Sequence, residues 1–265
     1  MFSTVTGNHI RGIVVSNAGS ARIGITNANN VFGANSITLN TLDGIGIFHS
    51  SAAFIGGNTI DSNGAFGINV GGASGVLVGG NTVTNNAQSG VLAGRGAQVL
   101  IGDPGFGPST TLNTISGNGG TGPTRGGIFA FDNANIQVTD AVISDNSGAA
   151  VNSFSGALVD LRGGTAVTAP ATSFAGAVVS VHATLRLVGT ASIISLGGDG
   201  IQASDLSAVS IESANTVQGT SGAGPGFGVN CFVFGGLTAS GTTLTGDLTH
   251  VTGTLGSTTG CNVFP

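Results

Sequence analysis

The chain has 265 residues, of which 49 are Gly and 14 are Phe, and it contains no Trp, Tyr or Lys. Charged residues make up 6% of the sequence, compared with roughly 25% in an average domain, and the formal net charge is −5. The basic residues are all Arg and are scattered along the chain, so we expect no nucleic-acid partner, because binding a phosphate backbone requires clustered positive charge.

A short apolar segment that opens with a small residue recurs along the chain in the form Gly-Ile-x-Val. We call this small residue the anchor. The shortest interval between anchors is 23 residues, and the longer intervals indicate inserted residues. Such a fixed period indicates a repeat protein. In chain order the anchors are Gly12, Gly44, Gly67, Gly90, Gly127, Ala150, Gly176, Gly200 and Gly228.

Each repeat contains three short apolar segments. In the repeat that opens at Gly67 they are centred on Ile68, on the pair Val76 and Val78, and on Val83 within an Asn-Thr-Val sequence. Apolar residues alternate with a period of two, which is typical of strands with one buried face. Strands this short bury that face only when successive coils stack in parallel. We therefore predict an all-β parallel β-helix of about nine or ten coils, with three short strands per coil, over residues 1–240, and a last coil or cap over 241–265.

Several segments repeat the consensus most fully, namely the N-T-I-S-G-N sequence that begins at Asn113, the I-G-G-N-T-I sequence that begins at Ile55, and the recurring G-I-x-V. They resemble the right-handed parallel β-helix repeats of the pectate-lyase-like superfamily and of exported bacterial repeat proteins. The resemblance covers nearly the whole chain and weakens after about residue 240. It implies a right-handed β-helix without implying one activity, because the superfamily includes lyases, hydrolases, epimerases, adhesins and phage tailspikes.

Two columns of Asn accompany the third segment. One contains Asn35, Asn58, Asn81 and Asn113, and the other lies five positions later and contains Asn40, Asn63, Asn86, Asn118 and Asn146. Stacked Asn side chains hydrogen-bond along a solenoid axis and tolerate the left-handed backbone of tight turns. We therefore expect a structural role for both columns. Regular Thr-x-Thr ranks of the ice-binding type are expected to be missing from the aligned columns.

Insertions indicate where the chain leaves the solenoid. Residues 25–34 and 103–112 are predicted to protrude from one corner, and a further loop, 118–126, lies in the next turn. Binding surfaces of solenoid proteins lie on such loops. We expect a groove bordered by loops 103–112 and 118–126.

The outward positions of the anchor strands carry large apolar residues, which require a cover or a partner. Three alternatives remain open: packing under the inserted loops, a subunit interface, and contact with the faces of sugars. The candidate ligand or interface residues are Phe48, Leu92, Phe129, Phe131 and Phe154.

Candidate catalytic groups are few. Arg95, Asp103, Arg125 and Asp132 are the weak candidates for a site in the groove. Polysaccharide lyases of this fold class need a base, together with a cation that holds the substrate carboxylate. Both Arg95 with Asp132 and Asp160 with Arg186 are predicted to lie on adjacent coils as surface ion pairs.

Asp43 and Asp61 are the candidates for hydrolysis by two carboxylates, because they are predicted to lie on neighbouring coils. The four His residues are far apart in coil number, and no Cys and His spacing resembles a zinc site. We therefore expect neither a metal nor another cofactor.

The two cysteines, Cys231 and Cys261, lie near the C-terminal end, while the repetitive body has none. A disulfide between them suits an oxidising compartment, and two buried thiols are the alternative. No apolar run approaches the ~20 residues that a membrane span needs. We expect a secreted or cell-surface protein.

The leading hypothesis is a noncatalytic exported scaffold, adhesin-like, that self-associates as a homo-oligomer or binds polysaccharide through its Phe-bearing face. The main rival is a polysaccharide-processing enzyme, a lyase or a glycoside hydrolase. A fragment of a longer solenoid or tailspike is the third hypothesis. The enzyme requires converging carboxylates or an Arg and a carboxylate in a groove, whereas the scaffold requires an apolar face.

Overall fold

A computed structural model describes residues 3–26, 31–102, 112–120, 126–211, 215–220, 228–231, 236–239 and 262–264. Within these residues the chain forms no helix and winds into a solenoid with three parallel sheets of nine, nine and ten strands. We call them the anchor sheet, the middle sheet and the asparagine sheet, in the order in which the chain visits them after each anchor. The all-β parallel solenoid with three strands per coil is as predicted.

The strands have the following bounds. The anchor sheet consists of Ile13–Val15, Ile45–Ile47, Ile68–Val70, Val91–Ala93, Ile128–Ala130, Val151–Phe154, Ala175–Ser180, Asp199–Ala203 and Val229–Cys231. The middle sheet consists of Ser20–Ile23, Ala52–Gly56, Gly75–Gly79, Gln98–Ile101, Asn135–Thr139, Leu158–Gly163, Thr184–Gly189, Ala208–Ile211, Gly236–Ala239 and Asn262–Phe264. The asparagine sheet consists of Thr4–Thr6, Ser36–Thr38, Thr59–Asp61, Thr82–Thr84, Asn113–Ser116, Ala141–Ser144, Ala166–Ala169, Ser192–Ser195 and Thr216–Gly219.

The core consists of aliphatic columns that run along the solenoid axis. Ile68 pairs with Ile45 on the preceding coil and with Val91 on the following coil, and all three are fully buried. The residue after each predicted anchor pairs with its equivalent along the whole sheet, from Ile13 to Val229. Each coil therefore buries its apolar face against its neighbours, because no single coil encloses a core of its own.

The anchors are small because they lie against the next coil. A Cβ atom added to Gly67 would lie 2.7 Å from the carbonyl oxygen of Gly90 and 2.8 Å from Nδ2 of Asn86. Gly176 and Gly200, which have no Asn beside them, are enclosed as closely by an aliphatic side chain and by the carbonyl of the next anchor. The consensus Gly thus results from close contact with the next coil.

Both Asn columns form hydrogen-bonded ladders. In the longer ladder each Asn donates from Nδ2 to Oδ1 of the next, over the distances 2.7, 2.8, 2.9, 2.9 and 3.1 Å, through Asn8, Asn40, Asn63, Asn86, Asn118 and Asn146. The shorter ladder links Asn35, Asn58, Asn81 and Asn113 in the same way. Several of these amides also donate to a carbonyl of an earlier coil, as Asn86 does to Ile60. The side chains thus satisfy backbone groups at the turns, in agreement with the structural role expected of them.

Parts of the predicted loops and of the predicted cap lie outside the described residues. The excursion 25–34 contains an antiparallel ribbon of Ile25–Thr26 and Val31–Phe32, whereas most of the loop 103–112 lies outside the described part. The strand Asn262–Phe264 pairs in parallel with Gly236–Ala239. Cys261 lies outside the described residues, so the disulfide and its alternative of two buried thiols, the boundary at 240 and the cap stay predictions.

A Gly67→Ala change should lower the thermal unfolding midpoint, because the new methyl group must displace the Gly90 carbonyl or Asn86. We expect a loss of about 2 kcal/mol, as for overpacked interiors. The matched control is Gly75→Ala, since nothing lies within 4 Å of a Cβ atom at that position. Equal losses for the two variants would contradict the close-contact explanation.

An Asn86→Ala change should cost about 3 kcal/mol of unfolding free energy in urea, because it leaves several buried hydrogen-bonding groups without partners. These include the Ile60 carbonyl and the backbone N–H of Asn63, and the Asn63 side-chain amide loses one of its two acceptors. The control is Asn135→Ala on the outer face of the middle sheet. A ladder without energetic importance would give the same small effect in both variants.

Candidate functional site

The outer face of the anchor sheet has a concavity of about 250 Å³, which we call the aromatic trough. It extends over the coils that open at Gly44, Gly67 and Gly90 and reaches Phe131 on the next. Its lining residues are Phe48, His49, Asn69, Val70, Gly71, Gly72, Leu92, Gly94, Arg95 and Phe131. Among these described lining residues there is no Asp or Glu.

Glycines leave space for the rings of Phe48 and Phe131, at the two ends of the trough, to lie against the sheet. A Cβ atom on Gly46 would lie 2.5 Å from Cε2 of Phe48, and one on Gly94 would collide with the ring of Phe131. Gly71 lies between Gly46 and Gly94. A Cβ atom added to Gly71 would make only ordinary van der Waals contacts, the nearest with the Phe48 ring at 3.6 Å. The glycines thus form the floor of the trough, and the two rings form its ends.

Phe131 belongs to a cluster of three rings. Its ring stacks on Phe129, with a centroid separation of 5.4 Å and an interplanar angle of 20°, and Phe129 meets Phe154 edge-on at 5.7 Å. Such offset and edge-to-face pairs are favourable ring geometries. The rings are half-buried, so each covers part of its neighbour while leaving part of its surface accessible.

Leu92 differs from the sequence expectation. It was expected to be exposed among the outward apolar residues, but it is only 7% exposed. It lies between Asn69 on one neighbouring coil and Phe129 on the other. It therefore contributes to the wall of the trough without offering a free surface.

Phe48, at the opposite end, is held by a polar network that the sequence analysis missed. The guanidinium of Arg11 lies 5.0 Å from the centre of the Phe48 ring and is ion-paired to Asp43, with Nε 2.5 Å from Oδ2. The same carboxylate accepts hydrogen bonds from Nδ2 of Asn69 and from the backbone N–H of Phe66. Arg11 and Asp43 each directly precede an anchor, one coil apart, and this spacing is the signal that could have revealed the pair.

The predicted ion pair between Arg95 and Asp132 is not formed in the described part of the chain. The residues do lie on adjacent coils, since the N–H of Gly96 donates to the carbonyl of Asp132. Both have left-handed backbones, with φ of 55° and 49°, and both side chains are exposed. An exposed pair gains too little energy to hold a long Arg side chain in one place. Arg95 instead lies on the rim of the trough.

The other charged candidates are placed as follows. Asp103 and Arg125 lie outside the described residues. The pair of Asp160 and Arg186 is formed at 3.6 Å, and Arg162 makes a shorter contact of 2.6 Å with the same carboxylate oxygen. This cluster lies on the middle sheet, away from the trough. The predicted pairing of Asp160 with Arg186 is confirmed, but the Asp160 carboxylate is buried rather than on the surface.

The two carboxylates considered for hydrolysis do not converge. Asp43 is buried in the network beneath Phe48, whereas Asp61 lies on the asparagine sheet. Burial alone raises the pKa of Asp61, but hydrogen bonds from Thr84, Ser62 and Asn85 outweigh it and lower the pKa. A carboxyl group held ionised in this way is unsuited to act as a general acid.

Within the described ranges, no set of three or more His, Cys, Asp and Glu residues is arranged to hold a metal ion. Over the same residues, the structure has no helix with the length and hydrophobicity of a membrane span.

The comparison with protein families matches the family described as the right-handed β-helix region over residues 2–166. The chain belongs to the right-handed β-helix family. This match agrees with the predicted handedness and covers the coils that carry the two Asn ladders and the trough. Searches of curated proteins and of solved structures found no match, so the geometry of the chain itself must support any function.

An Asp61→Asn change should reduce the acid sensitivity of the fold. Because the folded pKa is lowered, the ionised Asp61 stabilises the protein above its unfolded pKa, and this contribution disappears as the pH falls through the folded value. The variant should therefore be less stable than wild type at pH 7 and should lose less stability between pH 7 and pH 3. Urea unfolding at both pH values measures this difference, and an unchanged difference would refute the role of the hydrogen bonds.

Proposed function

We propose that this protein is a noncatalytic, exported β-helix scaffold that binds carbohydrate in the aromatic trough. The observation that carries the proposal is the pair of half-exposed rings, Phe48 and Phe131, at the two ends of a glycine floor. Three coils separate these rings, which corresponds to about 14 Å along the axis at about 4.8 Å per coil. The trough is therefore elongated along the solenoid, as a binding site for a chain-like ligand should be.

The chemistry of the lining suits a sugar chain. Sugars have apolar C–H faces that pack on aromatic rings, and hydroxyl edges that need hydrogen-bonding partners. Phe48 and Phe131 supply apolar contacts, while Asn69, His49 and Arg95 supply polar groups at the edges. An apolar cleft with a few convergent polar groups is the usual form of a ligand site.

The absence of a carboxylate from the described lining favours binding over catalysis. Glycoside hydrolases use two carboxyl groups on either side of the scissile bond, and proton abstraction requires a base within hydrogen-bonding reach. Asp43, the acid nearest to Phe48 in the network, is already engaged by Arg11, Asn69 and Phe66. If the protein were an enzyme acting here, its catalytic groups would have to come from the loops 103–112 and 118–126.

Export is a further part of the proposal. It is supported by the low charge of 6% and by the resemblance of the repeats to exported bacterial repeat proteins. Self-association through Phe129, Phe131 and Phe154 is the competing use of the same face, because clustered rings are also typical of subunit interfaces.

A glycan-array screen followed by calorimetric titration tests the proposal. Phe48→Ala and Phe131→Ala should each weaken binding of the selected oligosaccharide on the order of tenfold or more, as for buried aromatic anchors. The control is Phe54→Ala, since Phe54 is a half-buried ring on the middle sheet.

Size-exclusion chromatography with light scattering separates the two uses of the face. A monomer that binds an oligosaccharide supports the proposal. An oligomer that Phe131→Ser dissociates, with no glycan bound by either form, would overturn it in favour of self-association. Cleavage of a bound polysaccharide would overturn the noncatalytic assignment.

A further inference from the structure

The outer face of the asparagine sheet carries an ordered array of hydroxyl groups over the first five coils. We call it the hydroxyl face and define it by its ten outward residues. Within this array every residue except Asp61 is Ser or Thr. The two columns, each in coil order, are Thr4, Ser36, Thr59, Thr82, Thr114 and Thr6, Thr38, Asp61, Thr84, Ser116.

Regular ranks of Thr-x-Thr are not present on these five strands, because only Thr4–Thr6 and Thr82–Thr84 have the full motif and the columns otherwise combine Thr with Ser or with Asp61. Thr82 pairs with both Thr59 and Thr114, and Thr84 pairs with both Asp61 and Ser116. The columns of Thr and Ser lie within the aligned Asn-Thr-Val, Asn-Thr-Ile and Asn-Ser-Ile sequences. Thr59 and Thr82 are exposed, and the residues of the second column are partly exposed from Thr38 onward.

This face lies between the two Asn ladders. Asn81 immediately precedes the strand Thr82–Thr84 and donates to Asn113, while Asn86 follows the strand and donates to Asn118. The ladders therefore fix both ends of the strands that present the hydroxyls. Beyond Asn113–Ser116, where the shorter ladder has ended, the first column changes to Val142 and Ala166, whereas the second continues through Ser144 and Thr168 before Ile194. The array in which both columns carry hydroxyl groups thus ends with the shorter ladder.

Strand propensity does not account for the array. Thr is favoured on strands in general, so the outward positions of other sheets should be equally rich in it. In the same coils the middle sheet instead presents residues such as Ala52, Phe54, Leu77, Gln98 and Leu100. The choice of hydroxyl side chains is specific to one face.

The spacing of the array approximates that of ordered water. Equivalent residues repeat every ~4.8 Å along the axis, and alternate residues of one strand lie ~6.7 Å apart. Water that is tetrahedrally bonded at about 2.75 Å has second-neighbour oxygens ~4.5 Å apart and a layer repeat of ~7.4 Å. Both spacings of the array thus lie within about a tenth of those of tetrahedrally bonded water.

We propose that the hydroxyl face binds the surface of ice. Nine of the ten defining side chains are neutral, as counted from the two columns above, and they match the lattice without the strong hydration that charged groups impose. Asp61 is the one charged defect, and it accepts a hydrogen bond of 2.7 Å from Thr84. This site is separate from the aromatic trough, so the failure of one proposal would not affect the other.

The first experiment measures thermal hysteresis and inhibition of ice recrystallisation by the wild-type protein at neutral pH. The proposal expects a freezing-point depression beyond that of an inert protein at the same concentration, and faceted ice crystals. A wild-type protein that gives neither effect and is excluded from a slowly growing ice hemisphere overturns the proposal.

Variants then locate the surface. Thr82→Tyr should abolish both effects, because a large ring in the centre of the hydroxyl face prevents the ice surface from contacting the neighbouring hydroxyl groups. Gln98→Tyr is the matched control on the middle sheet and should retain both effects. Equal losses in the two variants overturn the assignment to this face, and circular dichroism establishes that each variant is folded.

Asp61→Thr provides a gain-of-function test, since it completes the second column. The expected result is a larger thermal hysteresis than that of wild type at the same concentration. A hysteresis that does not increase would contradict the two-column match to the lattice.

Discussion

The structure depends on one constraint, which is that every coil must place its side chains directly over those of its neighbours. An aliphatic residue such as Ile68 is buried only because Ile45 and Val91 lie on either side of it. The Asn ladders enforce the same register at the turns, where a shift of one residue would leave buried amides without partners. The outer surfaces inherit this regularity, so a residue type repeated in the sequence becomes a column on the rod.

The two proposed sites use this regularity in opposite ways. The aromatic trough arises where the columns are interrupted, because Gly46 and Gly94 leave room for the rings of Phe48 and Phe131. The hydroxyl face arises where the columns are kept, with Thr59, Thr82 and Thr114 in line. Irregular columns form concave surfaces with mixed chemistry, whereas regular columns form flat grids.

The coils and their register could be predicted from the sequence because the period, the small anchors and the alternating apolar residues arise from backbone geometry. The pair of Asp160 and Arg186 followed from that register. The pair of Arg95 and Asp132 did not form, since adjacency of two exposed side chains at left-handed turns does not fix their direction. Leu92 proved buried between Asn69 and Phe129 of the neighbouring coils, since an outward position on a strand does not by itself determine exposure.

Hydrogen–deuterium exchange of the ladder amides tests the central claim most directly. The backbone N–H groups of Asn40, Asn58 and Asn86 donate to the Asn side chain of the next coil. If the ladders hold the coils in register, these amides should exchange only through global unfolding, as slowly as that of the core residue Ile68. Exchange as fast as that of exposed turn amides would show that the ladders do not hold the stack.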